Sequence, residues 1–373
     1  MIHACAEERS SRSAAAVKIH LVSADALTGE HVQAWSELQR ADQGLHSPFF
    51  RPEFTRQVAA VRPGVEVAVL EQGEEPVGFF PFQRGRGGIG RPVGGPLSDF
   101  HGMVASPATI WNAEELVAAC GLSAWRFQHV PAGLEPFRPY HYSAGPSLYM
   151  DLSRGFEAYR QQRCQAGSEQ LRKAQQKLRK AAREVGPVRF EPDAADPKVL
   201  ERLLAWKVDQ YRRIQAVNFL APDWTRRLLA AILAAGDIAF GGLLSALYFG
   251  DRLVAAHLGI RSYERLHAWF PAYDPEFAAY SPGLILFVQL AERAGPLGIE
   301  RIDLGRAHER FKTSLASAAE NLAEGSVDLR LWRRTARRGA FRLAQWIRSS
   351  RLRGPARAMV RLVPGLRQWA AFH

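Results

Sequence analysis

Residues 243–312 constrain the fold more than any other part of the chain. Three runs rich in branched and aromatic residues, 243–249, 253–261 and 265–273, follow one another with only Gly250-Asp251 and residues 262–264 between them. Strands this short, joined by turns this tight, fold back on one another as an antiparallel meander. Asp274-Pro275 and Ser281-Pro282-Gly283 then break the pattern, because proline lacks the ladder N–H and glycine favours turns. From 284 to 294 the apolar residues Leu284, Phe287, Val288 and Ala291 recur at helical spacing. A strand over 301–304 and, past Gly305, a second short helix complete the stretch.

Segments on either side extend this order. A strand is expected at 188–191, helices at 199–215 and 223–235, and a closing strand at 325–332. The first half repeats the beginning of the same series. It has a strand at 17–22, a helix at 30–40 with Val32, Trp35 and Leu38 on one face, a helix at 53–61 and a hairpin at 65–70 and 76–82. A helix at 113–120 and a strand at 124–129 follow. The repetition predicts an α/β (α+β) protein of two related domains, each a mixed, mostly antiparallel sheet flanked by helices. Residues 131–146 are proline-rich and expected to be irregular. The boundary falls there, giving domains at 17–146 and 147–332, a mobile tail at 1–16 and a basic tail at 333–373.

Charge is distributed unevenly. The net charge is +12, yet residues 329–373 hold twelve arginines with no lysine or acid, which leaves 37 basic against 37 acidic residues elsewhere. Over 333–353 the apolar residues Ala336, Ala340, Phe341, Leu343, Ala344 and Ile347 oppose Arg337, Arg338, Arg342 and Arg348. Such a helix either packs on the domain or adsorbs to anionic lipid with Phe341 or Trp346 inserted. Nucleic acid is disfavoured, since no reading motif accompanies the arginines. A second basic helix is expected at 168–185, capped by Ser168 and stopped by Gly186-Pro187. Its apolar stripe reads Leu171, Ala174, Leu178, Ala182 and Val185, and Lys177 belongs to its cationic remainder. That face is either solvated or a platform for an anionic substrate. Cys5, Cys120 and Cys164 are few and odd in number, no apolar run is long enough to span a bilayer, and no secretory signal opens the chain. A cytoplasmic setting is expected, with the basic tail offering a peripheral contact to the inner face of the plasma membrane.

Gly85-Arg-Gly-Gly-Ile-Gly90 spells the dinucleotide fingerprint, but Pro92, Gly94, Gly95 and Pro96 forbid the helix that motif must open. A glycine-rich turn is the reading. Three other segments carry a resemblance: His267-Ala-Trp-Phe-Pro-Ala-Tyr-Asp-Pro275, Tyr280-Ser-Pro-Gly-Leu284, and Asp303-Leu-Gly-Arg306 with Phe311-Lys312. Over roughly residues 17–332 the chain resembles the CelD/BcsL-type acetyltransferases, a GNAT branch associated with cellulose and exopolysaccharide synthesis. That branch is similar in fold to the FemAB-like enzymes with two GNAT domains in tandem.

The resemblance implies acetyl-CoA, or another acyl-CoA, as co-substrate and no metal. It implies that strand 265–273 and strand 301–304 splay apart to admit the pantetheine arm. Tyr280, Ser281, Pro282, Gly283 and Leu284 would then meet the pyrophosphate at a helix start, where free N–H groups favour negative charge. The R/Q-x-x-G-x-G/A loop of many GNAT enzymes is absent, and Ser281-Pro-Gly283 is similar to the CelD-type version. Amine acylation needs a base, an oxyanion donor and a thiolate acid. Asp303 is expected as base, His267 on the opposite lip, Tyr273 or Tyr280 as thiolate acid, and Lys312 or Arg306 gripping a phosphate or carbonyl oxygen. His257, and Asp99 with His101 in the loop Gly94–Gly102, are expected at the substrate. Ala307 and Phe311 depart from the glycine and tyrosine usual in that branch, which leaves the proton donor open. The implied activity is N-acetylation of an amino sugar in a polysaccharide or its lipid-linked precursor. The rivals are FemAB-like aminoacyl transfer from aminoacyl-tRNA and a non-catalytic GNAT scaffold of a polysaccharide-synthesis complex.

Overall fold

The computed structural model describes residues 17–306 and 310–330, together with 334, 335, 337–339, 341, 342 and 346. The first half contains β1 (Lys18–Ser23), α1 (Gly29–Ala41), α2 (Pro52–Ala59), β2 (Val65–Gln72), β3 (Glu75–Arg84), β4 (Ile89–Arg91), β5 (Val104–Ala105), α3 (Ala113–Ala119) and β6 (Ala124–Pro131). Then come β7 (His141–Asp151), α4 (Gly155–Gln165), α5 (Gln170–Glu184), β8 (Val188–Glu191), α6 (Pro197–Arg213) and α7 (Asp223–Ala235). The expected meander is β9 (Gly241–Phe249), β10 (Arg252–Ser262) and β11 (Arg265–Tyr273), followed by α8 (Pro282–Glu292), β12 (Arg301–Gly305), α9 (Arg310–Leu315) and β13 (Ala318–Asp328). The tail at 1–16 and most of the expected helix at 333–353 lie outside the described residues.

The strands join in one sheet, ordered β1-β2-β3-β4-β6-β13-β7-β12-β11-β10-β9-β8, with β5 beside β3. Neighbours run antiparallel except β4 with β6 and β11 with β12. Each parallel pair sits at the same place in its half, so the sheet is a repeated unit read inward from both ends. The centre is an exchange. β13, last in the sequence, pairs with β6 of the first half, while β7 pairs with β12 of the second. β7 and β13 also pair with each other and join the halves.

Two segments form strands where the sequence pattern is poor. Residues 131–146, expected to be irregular, hold a 3₁₀ turn at Glu135–Tyr140 and then the start of β7, so the boundary placed at 146 falls within a strand. β13 begins at Ala318 rather than 325, through the alanine-rich Ala318–Ala323. Pairing on both sides overrides the weak intrinsic preference of such residues for a strand. Ser168 does not serve as the expected cap of α5: its Oγ donates to the Ser314 carbonyl at 2.9 Å, and the helix starts at Gln170. The buried seam accordingly uses Ala181, while Ala182 is exposed.

One apolar layer lies between the sheet and α1, α2, α6 and α7, running without a break from Trp35 and Phe50 to Trp206 and Ile232. On the opposite face α5 and α8 enclose Leu171, Ala174, Leu286 and Phe287, and α3 covers Trp125 and Phe137. Each such side chain contributes roughly 1.5–3 kcal/mol when fully buried. The shared first layer therefore fixes the halves against each other.

Candidate active site

β11 and β12 stay together only through Arg265–Arg301, Leu266–Ile302 and His267–Asp303. Beyond His267 the register between β10 and β11 slips, with Ala268 and Trp269 opposing Gly259 alone. A bulge bends its strand and sharpens the local twist. β11 thus turns away from β12 immediately after their last pair, and Pro271 withholds a ladder donor in the diverging stretch.

A cavity of about 570 Å³ lies along β11 past this point, a volume usual for ligand sites. Trp269, Pro271, Ala272 and Tyr273 of β11 form one wall, and Ser281, Pro282, Gly283 and Leu284 another. Trp206, Lys207 and Gln210 of α6 close the far side, and Lys312 of α9 completes the lining. Its charged residues are Lys207, Arg213 and Lys312, all cationic. Lys207 Nζ also donates to the Pro271 carbonyl at 3.2 Å.

α8 begins in a way that serves an anion. Ser281 is left-handed (φ 54°, ψ 54°) and its side chain makes no cap, a backbone state costing a non-glycine residue of order 1 kcal/mol. Pro282 occupies the first helical position, where a missing N–H costs nothing. The Gly283 N–H then lies in the first turn, before intrahelical acceptors are available. A Cβ on Gly283 would meet only Tyr273 Cδ1, at 3.8 Å, so that side of the helix tip is open. Ser281 N–H is spent on the Ala278 carbonyl and Leu284 N–H on the Ser281 carbonyl, so an anion at this tip would meet the Gly283 N–H.

The expected site residues separate into two groups. Tyr273, Ser281, Pro282, Gly283, Leu284 and Lys312 line the cavity. Tyr280 turns outward, where its hydroxyl donates to Glu184 at 3.0 Å. Lys177 donates to the Ala279 carbonyl at 2.6 Å and braces the loop leading to α8. Asp303, expected as base, is fully buried: Arg301 Nε donates to its Oδ1 at 2.6 Å, and Arg265 Nε stands 3.9 Å from Oδ2. Arg301 also pairs with Glu320. That carboxylate neutralises buried arginines and does not line the cavity. Arg306 reaches into the first half and donates to the Gln128 carbonyl at 3.0 Å. His257 is fully buried beside Phe287, and burial, with the charges of His267 and Lys207, lowers its pKa to about 3. Ala307 and the side chain of Phe311 lie outside the described residues.

Asp99 and His101 meet different fates. His101 is used inside the first half. Its Nε2 accepts the N–H groups of Gln128 and His129 at 3.0 and 2.9 Å, and the His101 backbone N–H donates to the His129 carbonyl. These bonds fill the edge of β6 beyond its two pairs with β4, Ile89–Ala124 and Gly90–Trp125. Burial and the neighbouring His129 charge hold His101 well below the usual imidazole range. Asp99 leaves the same loop in the other direction and accepts from His267 Nε2 at 2.8 Å. His129 and the α6 wall were not foreseen: histidine after a strand core and the polar face of a helix give no local signal.

Among the described residues His20, His31 and Glu71 bring potential metal-ligand atoms within 4.8 Å of one another. There His31 Nδ1 already accepts the Thr28 N–H in the cap of α1. No described helix is long and apolar enough to cross a membrane.

Residues 168–313 match the family profile described as an acetyltransferase (GNAT) domain. No curated protein matches the sequence. Among solved structures the chain is similar to FemX, at 8% identity over 83% of this chain and 96% of that one, with a TM-score of 0.52. It is also similar to the C-terminal domain of a protein assigned as a lysylphosphatidylglycerol synthetase from Agrobacterium fabrum, at 14% identity over 85% and 95%, TM-score 0.51. A tandem GNAT protein from the clavulanic acid biosynthesis pathway matches at 10% identity over 84% and 98%, TM-score 0.50. At such identities the likeness is one of fold. The chain has a tandem GNAT fold, and its residues 168–313 are a GNAT acetyltransferase domain, the N-acyltransferase part of the molecule.

Proposed function

We propose that the chain transfers an acyl group from acyl-CoA to an amine, with acetyl-CoA as the first donor to test. The observation that carries this is the cavity between the diverging end of β11, α6 and the start of α8, whose charged lining residues are all basic and which ends on the open tip of α8. GNAT domains use acyl-CoA as co-substrate. In this chain Ser281, Gly283 and Leu284 would face the pyrophosphate, and the free edge of β11 from Ala268 to Tyr273 would hold the pantetheine arm. Lys312, Lys207 and Arg213 would balance the phosphate charge. The Tyr273 ring, 3.8 Å from where a Gly283 Cβ would lie, would flank the same phosphate end.

The CelD/BcsL-like segments favour an amino sugar of an exopolysaccharide or its lipid-linked precursor as acceptor. A contact of residues 333–373 with anionic membrane accords with that setting, and co-sedimentation with anionic vesicles with and without the tail tests it; equal binding removes the idea. The fold likeness to FemX keeps aminoacyl transfer as a second reading, because basic α5 packs beside the loop that leads to the cavity. Isothermal titration with acetyl-CoA tests the main reading. Binding is expected in the wild type and lost in Gly283→Trp, and a wild type that binds none contradicts it.

A further inference from the structure

The wedge needs a group that receives the acceptor, and Asp303 is locked to Arg301 inside the protein. Asp99 comes from the other half of the molecule and stands at the vertex of the wedge. Its Oδ2 accepts from His267 Nε2 at 2.8 Å, and His267 belongs to the last pair before β11 and β12 part. Its Oδ1 lies 3.5 Å from His129 Nδ1, and 34% of the side chain is open to solvent. His267, by contrast, is 1% exposed. Phe49 and Phe100 stand edge-on to its ring, at 5.1 and 6.2 Å between centroids, and fix its orientation.

The strand beyond the last pair leaves room for this carboxylate. Gly305 has φ 76°, and a Cβ there would lie 3.5 Å from Asp99 Oδ2 and 3.7 Å from His267 Cε1. The loop carrying Asp99 is also tied to the cavity wall, since Trp269 Nε1 donates to the Leu97 carbonyl at 2.9 Å. Although desolvation pushes the Asp99 carboxyl up, the His267 hydrogen bond and the charges of His267, His129 and Lys312 bring it down to about 2. Lys312 is itself a lining residue of the cavity. A carboxylate held by His267 and His129, partly open and beside the donor slot, suits a cationic ligand group.

We propose that Asp99 seats the protonated primary amine of the acceptor, with His267 as its positioning residue, so that the acceptor site is completed by the half that holds no donor. The inference rests on the acyltransferase reading and names the acceptor's recognised feature: R–NH3+, in preference to a hydroxyl or an already acylated nitrogen.

The test uses the full chain and a panel of glucosamine, D-alaninamide and putrescine, with N-acetylglucosamine as neutral control. Acetyl-CoA affinity is measured first in wild type and Asp99→Asn, and equal affinity certifies the fold and the donor slot. Steady-state acetyl transfer should then show the amine KM rising at least tenfold in Asp99→Asn, with kcat changed much less. His267→Ala should raise the same KM, and His267→Gln, which keeps a donor toward Asp99, should restore most of it. A merely structural His267 would shift stability without that rescue. If the wild type uses or binds none of the amines better than Asp99→Asn does, the proposal is overturned. Loss of acetyl-CoA binding by the wild type would instead overturn the donor reading.

Discussion

The two halves contain the same opening in the sheet and treat it in opposite ways. In the second half β11 and β12 part after His267–Asp303, and a cavity lies along β11 past that point. In the first half β4 and β6 part after Gly90–Trp125, but His101 enters the gap and bonds the backbone of Gln128 and His129. Arg306 from the other half takes the Gln128 carbonyl as well. Backbone groups left open in one wedge therefore face protein in the other. Of two equivalent openings one stays open and the other is filled by protein, and Asp99 leaves the filled one to bond His267 at the open one.

This contrast can be broken at several points. The largest effect is expected at the open wedge, where Gly283→Trp should weaken acetyl-CoA binding by at least about 100-fold while thermal unfolding stays near wild type. Next comes Asp303→Ala, which strands Arg301 and Arg265 and should cost roughly 3–5 kcal/mol in urea unfolding. Acetyl-CoA affinity of the folded protein should hardly change; loss of turnover without loss of stability would restore Asp303 as the base. At the plugged wedge, His101→Ala leaves two part-buried N–H groups unpaired and a void and should cost roughly 2–4 kcal/mol, again with unchanged donor affinity.

The same buried histidines set an acid limit. His101 and His257 both have folded pKa values below the ordinary 6.5, the second at about 3. The unfolded chain thus binds more protons between these values, so stability is fully present above pH 6.5 and falls as pH drops toward 3. Urea midpoints measured from pH 7.5 to 4.5 should decline, and His257→Gln should flatten the decline. The smallest effect is at Gly305→Ala, where a left-handed backbone gains a side chain at a cost of about 1 kcal/mol, with the amine KM more affected than the donor KM.

Much of this arrangement is visible in the sequence, and the reason is local. β11 and α7 occupy the residues their patterns predict, 265–273 and 223–235, because strand alternation, turn residues and helix stops act within a few positions. The order of elements, and with it the fold, follows from such signals. The site is less legible. Tyr273, Ser281 and Gly283 could be placed because a strand-to-helix turn marks them. Asp303 was misleading although its main partner, Arg301, lies two residues away on the same strand; the second, Arg265, comes from the neighbouring strand. The Asp99–His267 contact joins residues 168 positions apart, and the strand exchange of β7 and β13 depends on pairing that no window of sequence contains.

The central claim is that one wedge accepts an acyl-CoA and its counterpart does not. Calorimetric titration of the wild-type chain with acetyl-CoA measures that directly through its stoichiometry. One molecule bound per chain, lost in Gly283→Trp and retained in His101→Ala, is the predicted result. Two molecules per chain, or one that survives Gly283→Trp, would contradict it.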